Sequence, residues 1–466
     1  MTPREVLALC REKDVKAVDL RFTDLWGAWR HVTLPVGQLD EAVFEEGVAL
    51  DGASIPGWQP PHESDLVLLP DPQTALLDPF PSLPTLAMIA TVYDPRTGEP
   101  YARDPRYIAQ KAAAYVQRTS VADQVHFAPL IEFYVFAAAD YRQSPLEMRV
   151  QLAPLGAGCL RGGGQTASAA AALSAASTSG PEALRELRSD LMQALLACGV
   201  AVEKQQEQPR SPAQASVALA GGPLVAAADA VQIAKYAIRA AARRQGLLAT
   251  LMPRPIAGEA GSGMPVQLWL SRQQQPLLAG TGYGGLSEVG MYAVGGLLRH
   301  APALCGLVCP STNSYLRLAD ASWGPAWLAY AQGSGGVACR IPLALGGPQG
   351  RRIEFRCPDP LCNPYLALAA IAMAVVDGVQ LKLSPGAPLE QDPQRLAPAQ
   401  QKEVPRTPLA LDEALTALER DSQFLLRDDV FTPDVLATWV CHKRQQEVEA
   451  LRAWPHPWEF CQYFDR

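Results

Sequence analysis

The chain has 466 residues, of which 48% are hydrophobic and 19% charged, and a formal net charge of -7; this suffices for a sizeable core and for two or three domains. An acidic balance, with a pI near 5.5, argues against nucleic acid or an anionic membrane as a partner. The ten cysteines include no Cys-x-x-Cys pair, so reduced thiols in a cytoplasmic protein are expected rather than a metal or disulfide framework.

Met1-Thr2-Pro3-Arg4-Glu5 is polar and lacks a signal-peptide core. The cap-like Thr2 and Pro3 instead predict a short helix. Residues 16–23 and 29–34 alternate apolar and polar around Trp26-Gly27 and predict a hairpin. From 36 to 103 the chain is rich in Pro, Gly and Asp, punctuating short strands such as Thr85 to Val92. Residues 1–103 are expected to form a small mixed domain, and 104–466 a large one.

The large part opens with a helix over 105–118 and a strand over 127–137. A Gly, Ala and Ser tract from Ala153 to Gly180 reads as a mobile insertion. Pro181 to Cys198 predicts an amphipathic helix with Leu184, Leu187, Leu191, Leu195 and Leu196 on one side. Ala226 to Arg244 and Leu286 to Leu307 predict two more helices, with strands at Val200 to Lys204, Gln214 to Ala220 and Pro265 to Leu270. These proportions suggest an α+β arrangement, an antiparallel sheet with helices packed outside. Cys305 and Cys309 read as buried free thiols. Tyr365 to Val376, the longest apolar run, is too short to span a bilayer, so no membrane is expected. Thr432-Pro433 starts a last long helix to about Ala453, and Pro457 to Tyr463 forms a short terminal segment.

The most informative stretch runs from Arg351 to Tyr365. Glu354 and Arg356 alternate with Ile353, Phe355 and Cys357, a strand with one polar face carrying a carboxylate and a guanidinium. Pro358 and Pro360 end it, and Asn363-Pro364 caps a buried helix.

This stretch, with Asp51-Gly52-Ala53-Ser54-Ile55, Gly261-Ser262-Gly263-Met264 and Asn313-Ser314-Tyr315, resembles glutamine synthetase of the bacterial type, in the family's order from Val15 to Pro455-His456-Pro457-Trp458-Glu459-Phe460. The resemblance implies a small N-terminal β-grasp-like domain and a large curved antiparallel sheet, a half-barrel flanked by helices, with the site on its concave face. It implies a homo-oligomeric ring, possible as a dodecamer, with the terminal segment docked on a neighbouring ring or packed on its own subunit. It also implies a chemistry: ATP phosphorylates the side-chain carboxylate of glutamate, and ammonia displaces the phosphate, with Mg²⁺ or Mn²⁺ neutralising phosphate charge.

Several positions depart from that pattern. Where the family has Glu-Pro-Glu this chain has Leu130-Ile131-Glu132, and two further metal glutamates fall on Gln208 and Ser216. Glu207 would replace Gln208 only by a one-residue slip, which turns it to the opposite face. The family's His-x-His is Pro265-Val266-Gln267, the catalytic glutamate falls on Trp323, a phosphate-contacting arginine on Gly335, a lysine on Gln349 and the adenylylated tyrosine on Gln394. Matching positions are Glu132 and Glu354 for metal, Arg317, Arg356, Gly261 and Gly263 for substrate, Arg340, Arg352 and Trp58 for nucleotide, and Asp51 for deprotonating ammonium. Glu132 and Glu354 read equally as buried acids paired with Arg340 or Arg356, and Asp51 as a turn cap.

Losing one transition-state arginine costs about 10³–10⁵ in rate, and here ligands, base and arginine are missing together. The sequence therefore points to a glutamine synthetase homologue without synthetase activity, a pseudoenzyme acting in nitrogen metabolism. It would work as a partner of an active synthetase in a mixed ring, or as a sensor of an amino acid or carboxylate through Arg317 and Arg356. Neither role requires Mg²⁺, Mn²⁺ or ATP. The alternative is an ATP-dependent ligase of altered chemistry, joining glutamate or another acid to ammonia or an amine with those cofactors.

Overall fold

Helix starts follow the caps that the sequence supplies. In the computed structural model, which describes residues 1–155, 184–208, 213–320, 324–343, 350–391, 395–396 and 398–465, Thr2 and Glu5 form a reciprocal capping box on the helix Pro3–Glu12. Asn363 Oδ1 accepts the Tyr365 N–H at 3.2 Å at the head of Pro364–Gln380, and Thr432 caps Pro433–Lys443. From residue 156 on, the predicted mobile tract lies outside the described residues, as do Trp323, Gln349 and Gln394.

The N-terminal sheet is built on the predicted hairpin, Ala17–Thr23 antiparallel to Trp29–Pro35. Ala17–Thr23 also pairs in parallel with Thr85–Asp94, which continues antiparallel through Asp65–Pro70 to Val48–Asp51. This is a β-grasp arrangement.

The second sheet has the order Val202–Glu207, Gln214–Leu219, Gln124–Phe136, Val266–Arg272, Ile353–Phe355, Val337–Ile341 and Trp327–Gln332. It forms a curled half-barrel, flanked by helices. Its pairings are antiparallel except the last, where Trp327–Gln332 runs parallel to Val337–Ile341. The predicted strand at Val200 to Lys204 lies two to three residues later in the chain, because Gly199, at φ +72, first turns the chain out of the helix Arg185–Ala197. An exposed hairpin, Ala138–Ser144 with Glu147–Ala153, follows the central strand; on its second arm Met148, Val150 and Leu152 alternate with Glu147, Arg149 and Gln151, a strand signal that the sequence reading passed over.

Two helices hold the core. Pro364–Gln380 is buried at every residue from Pro364 to Gly378, and each fully buried Ile371, Val375 or Val376 contributes about 1.5–3 kcal/mol. Glu288–Val308 lies against it so closely that a Cβ on Gly296 would meet the Ala374 carbonyl and stand 2.7 Å from Gly378 Cα. By length and composition Glu288–Val308 is, among the described residues, the one helix long and apolar enough to cross a membrane. Here it is a packed core helix. Tyr365 to Val376 remains the longest unbroken apolar run, whereas Glu288–Val308 is the longer helix, with Arg299, His300 and Pro302 within it. Leu196 departs from its expected place: at 59% exposure it lies about 100° round the helix from Leu195 and leaves the apolar face.

Candidate functional site

The concave face of the half-barrel encloses a cavity of about 500 Å³ that gathers side chains from six strands and from the turns beside them. Strand register explains the gathering. Glu132 on the central strand faces Ser216, Gln267 faces Glu354, and Glu354 faces Arg340 on the next strand.

Glu354 is buried and doubly held. Its Oε2 accepts from Arg340 Nη1 at 3.1 Å and its Oε1 from Arg356 Nη1 at 2.6 Å, while Gln267 Nε2 approaches Oε2 at 3.4 Å. Arg356 Nε donates in turn to the Gly335 carbonyl at 3.0 Å. The backbone of Gly335, where the resemblance implies an arginine, thus anchors a different arginine.

Glu132 is held by neutral donors. The Gly263 amide donates to Oε2 at 2.6 Å and Gln208 Nε2 to Oε1 at 3.1 Å, and Gln208 also reaches Ser216 Oγ at 3.5 Å. Burial pushes the Glu132 carboxyl above the usual carboxylate range, against the opposing pull of the Gly263 amide and the Arg356 and Arg317 charges. Gln206 and Gln208 line the cavity whereas Glu207 does not, as alternation along a strand requires.

Arg317 reaches the site from the helix Thr312–Leu318, which Ser311 and Ser314 cap reciprocally. Its guanidinium lies among backbone carbonyls, those of Arg356, Cys357 and Pro358, and Nε is buried without a partner. The glycines of Gly261-Ser262-Gly263 make room for it: a Cβ on Gly261 would sit 2.5 Å from Arg317 Cγ, and one on Gly263 3.0 Å from Arg317 Nη1. Asn313 fixes the adjoining turn, accepting the Arg254 N–H at 2.7 Å and donating to its carbonyl at 3.1 Å.

The departures are built into the sheet. Pro265, which precedes the strand Val266–Arg272, has no N–H to give and accepts from Leu130 N at 3.0 Å. Arg352 Nη1 donates to Gln267 Oε1 at 3.0 Å, with its guanidinium 4.6 Å from the centre of the Trp269 ring. Asp51 and Trp58 belong to the small domain: Asp51 Oδ1 caps Ala53 N at 3.0 Å, and Trp58 is buried against Phe22 and Tyr101.

Sequence reasoning did not single out Glu203, Lys204 or Gln214, which also line the cavity. Lys204, Gln206 and Gln208 alternate along one strand, a pattern that could have shown Lys204. Gln214 braces the glycine turn by donating to Gly261 O at 3.1 Å and Ser262 Oγ at 2.9 Å. Cations Lys204, Arg317, Arg340 and Arg356 outnumber carboxylates Glu132, Glu203 and Glu354. Such a site suits an acidic group.

A β-grasp sheet leading into a curled half-barrel with flanking helices is matched along the whole chain. Residues 14–95 match the family described as glutamine synthetase, beta-Grasp domain, and residues 102–463 match glutamine synthetase, catalytic domain. The glutamine synthetase of Nostoc sp. (strain PCC 7120) is 40% identical over 472 residues, covering 100% of this chain and 99% of its own. That of Frankia alni is 41% identical over 467 residues, covering 99% and 98%. Among solved structures, the Plasmodium falciparum glutamine synthetase superposes with a TM-score of 0.87 at 21% identity, covering 99% of each chain. The chain belongs to the glutamine synthetase family.

Proposed function

We propose that this family member does not synthesise glutamine and acts instead by binding, either a carboxylate-bearing ligand in the half-barrel cavity or an active synthetase chain in a mixed ring. The observation that carries the reading is the set of side chains at the metal positions, Leu130, Gln208, Ser216 and Pro265, none of them a carboxylate or a histidine. A hard divalent cation takes oxygen ligands, and Mg²⁺ is held by one or two carboxylates together with waters and substrate phosphates. At the metal positions that the resemblance implies stand Leu130, Gln208, Ser216 and, in place of a His-x-His, Pro265-Val266-Gln267, and of the two acids left, Glu354 is taken by arginines and Glu132 by amides. Among the described residues no group of three His, Cys, Asp or Glu is placed to hold a metal. The donor set does not fit Mg²⁺ or Mn²⁺, and with it goes the bridge to ATP phosphates.

The cations Arg317, Arg340 and Arg356 are left to attract an acidic group, with Arg352, Asp51 and Trp58 keeping local structural tasks. Assembly as a ring of like chains, or of this chain with a synthetase, accords with the exposed C-terminal helix Pro457–Tyr463 and its Trp458 and Phe460.

The opposite reading, a working glutamate–ammonia ligase, is favoured by 37–41% identity to chains named glutamine synthetase. Manganese titration separates the two. The unaltered chain should show no saturable Mn²⁺ site, and Gln208→Glu, Ser216→Glu, Pro265→His together should create one. Stoichiometric Mn²⁺ binding by the unaltered chain, lost in Glu132→Gln, would overturn the proposal.

A further inference from the structure

A second cleft, of about 390 Å³, lies behind the turn that holds Arg317. Lys235 forms its floor at 5% exposure, Arg239 and Arg243 stand exposed at its rim, and Trp29 and Pro360 line the far side. Lys235, Arg239 and Arg243 are each four residues apart on the helix Leu224–Arg244, so all three project from one helix face. Like charges at that spacing repel one another along a helix, and of the nearby acids Asp359 alone acts on Lys235, through space. Among the described residues no carboxylate lies within ion-pair distance of any of the three. The acids of this region are committed elsewhere: Asp19 and Asp78 to Arg21, and Asp71 and Asp229 to Arg106.

The Lys235 ammonium makes one hydrogen bond, to the Cys362 carbonyl at 2.6 Å. Burial pushes it down to about 8, and Arg239 adds to the depression while Cys362 and Asp359 oppose it. Asp359 acts on Lys235 only through space, its own Oδ1 accepting the Leu361 N–H at 2.9 Å.

We propose that this cleft binds a small polyanion, a molecule carrying two or more phosphate or carboxylate charges, at a site separate from the half-barrel cavity. Three cations that converge on one cleft, with no salt-bridge partner among the described residues, favour such a ligand by charge-assisted hydrogen bonds, and the volume lies within the usual range of small-molecule sites. The two sites share a structural element. The turn from Cys357 to Cys362 gives the Cys357 and Pro358 carbonyls to Arg317 and the Cys362 carbonyl to Lys235. An anion at Lys235 therefore competes with the carbonyl that fixes this turn, and it bears on the position of Arg317. The inference holds whether or not the half-barrel cavity is catalytic.

The test is calorimetric titration of the full chain, in its native assembly and at low ionic strength, with pyrophosphate and separately with citrate. Arg239→Gln with Arg243→Gln, both at exposed positions, should weaken binding about tenfold or more; Arg340→Gln, in the other cavity, should leave it within about twofold. Lysine-directed acylation near pH 8, read by peptide mass spectrometry, should label Lys235 more slowly when the anion is bound. Whichever anion binds identifies phosphate or carboxylate as the recognised group. No saturable binding of either anion, binding that survives the double substitution, or binding lost in Arg340→Gln would each overturn the proposal.

Discussion

Arg356 Nη1 stands 2.6 Å from Glu354 Oε1, two residues away on the same face of the same strand. The charges that the sequence alternation sets side by side neutralise one another, and Arg340 completes the arrangement from the neighbouring strand at 3.1 Å. Glu354 is thereby the shared counterion of two arginines.

Glu354→Gln should accordingly cost about 1–3 kcal/mol of stability, because two guanidinium groups lose their charged acceptor. The figure stays below that of a fully buried pair since Arg340 and Arg356 retain 32% and 22% side-chain exposure. Chemical denaturation would measure it, and the same variant should bind carboxylates or phosphate in the cavity more tightly than the unaltered chain.

Gly261→Ala places a methyl group 2.5 Å from Arg317 Cγ and 2.8 Å from the Pro253 carbonyl. Backbone must move to accept it, at about 1–3 kcal/mol. A fall in melting temperature is expected, whereas Gly336→Ala, with no atom within 4 Å of the added carbon, should leave stability near that of the unaltered chain.

His300 supplies a pH signature. Burial alone would lower its pKa, but Asp377 at 3.1 Å and Asp421 at 2.8 Å raise it above 6.5. Asp377 is held low despite burial by His300 and by Arg427 at 3.0 Å. The stability from protonated His300 is complete below about pH 6.5 and is lost as pH rises through the raised value; that from ionised Asp377 is present above its unfolded value and is lost in acid. In His300→Gln, the decline in melting temperature from pH 6 to pH 8 should flatten. An unchanged decline would show that His300 does not carry it.

Much of this was legible from residues with local signatures. The capping residues Thr2, Asn363 and Thr432 marked helix starts because a side chain satisfying a free amide is a short-range event. The helix Pro105–Arg118 and the terminal Pro457–Tyr463 appear at the bounds read from their prolines and periodicity. Glu354 and Arg356 were placed on one face by alternation alone. What escaped depends on contacts distant in sequence. The parallel pairing of Trp327–Gln332 with Val337–Ile341 is unreadable because a short glycine-rich link normally joins antiparallel strands. The partners of Glu132 are a Gly263 amide from a turn and the Gln208 side chain from the end of a strand two places away in the sheet, a pairing set by sheet order rather than by local sequence. The Lys235, Arg239 and Arg243 stripe was visible as spacing, yet only the approach of Trp29 and Pro360 makes a cleft of it.

If the chain makes no amide, as proposed, ammonia-dependent phosphate release by the purified chain with ATP, glutamate and Mg²⁺ or Mn²⁺ should not rise above the enzyme-free rate under either metal. Ammonia-dependent turnover within the usual enzyme range, about 1 s⁻¹ or faster, would contradict it and return Glu132, Glu354 and Arg356 to catalytic roles.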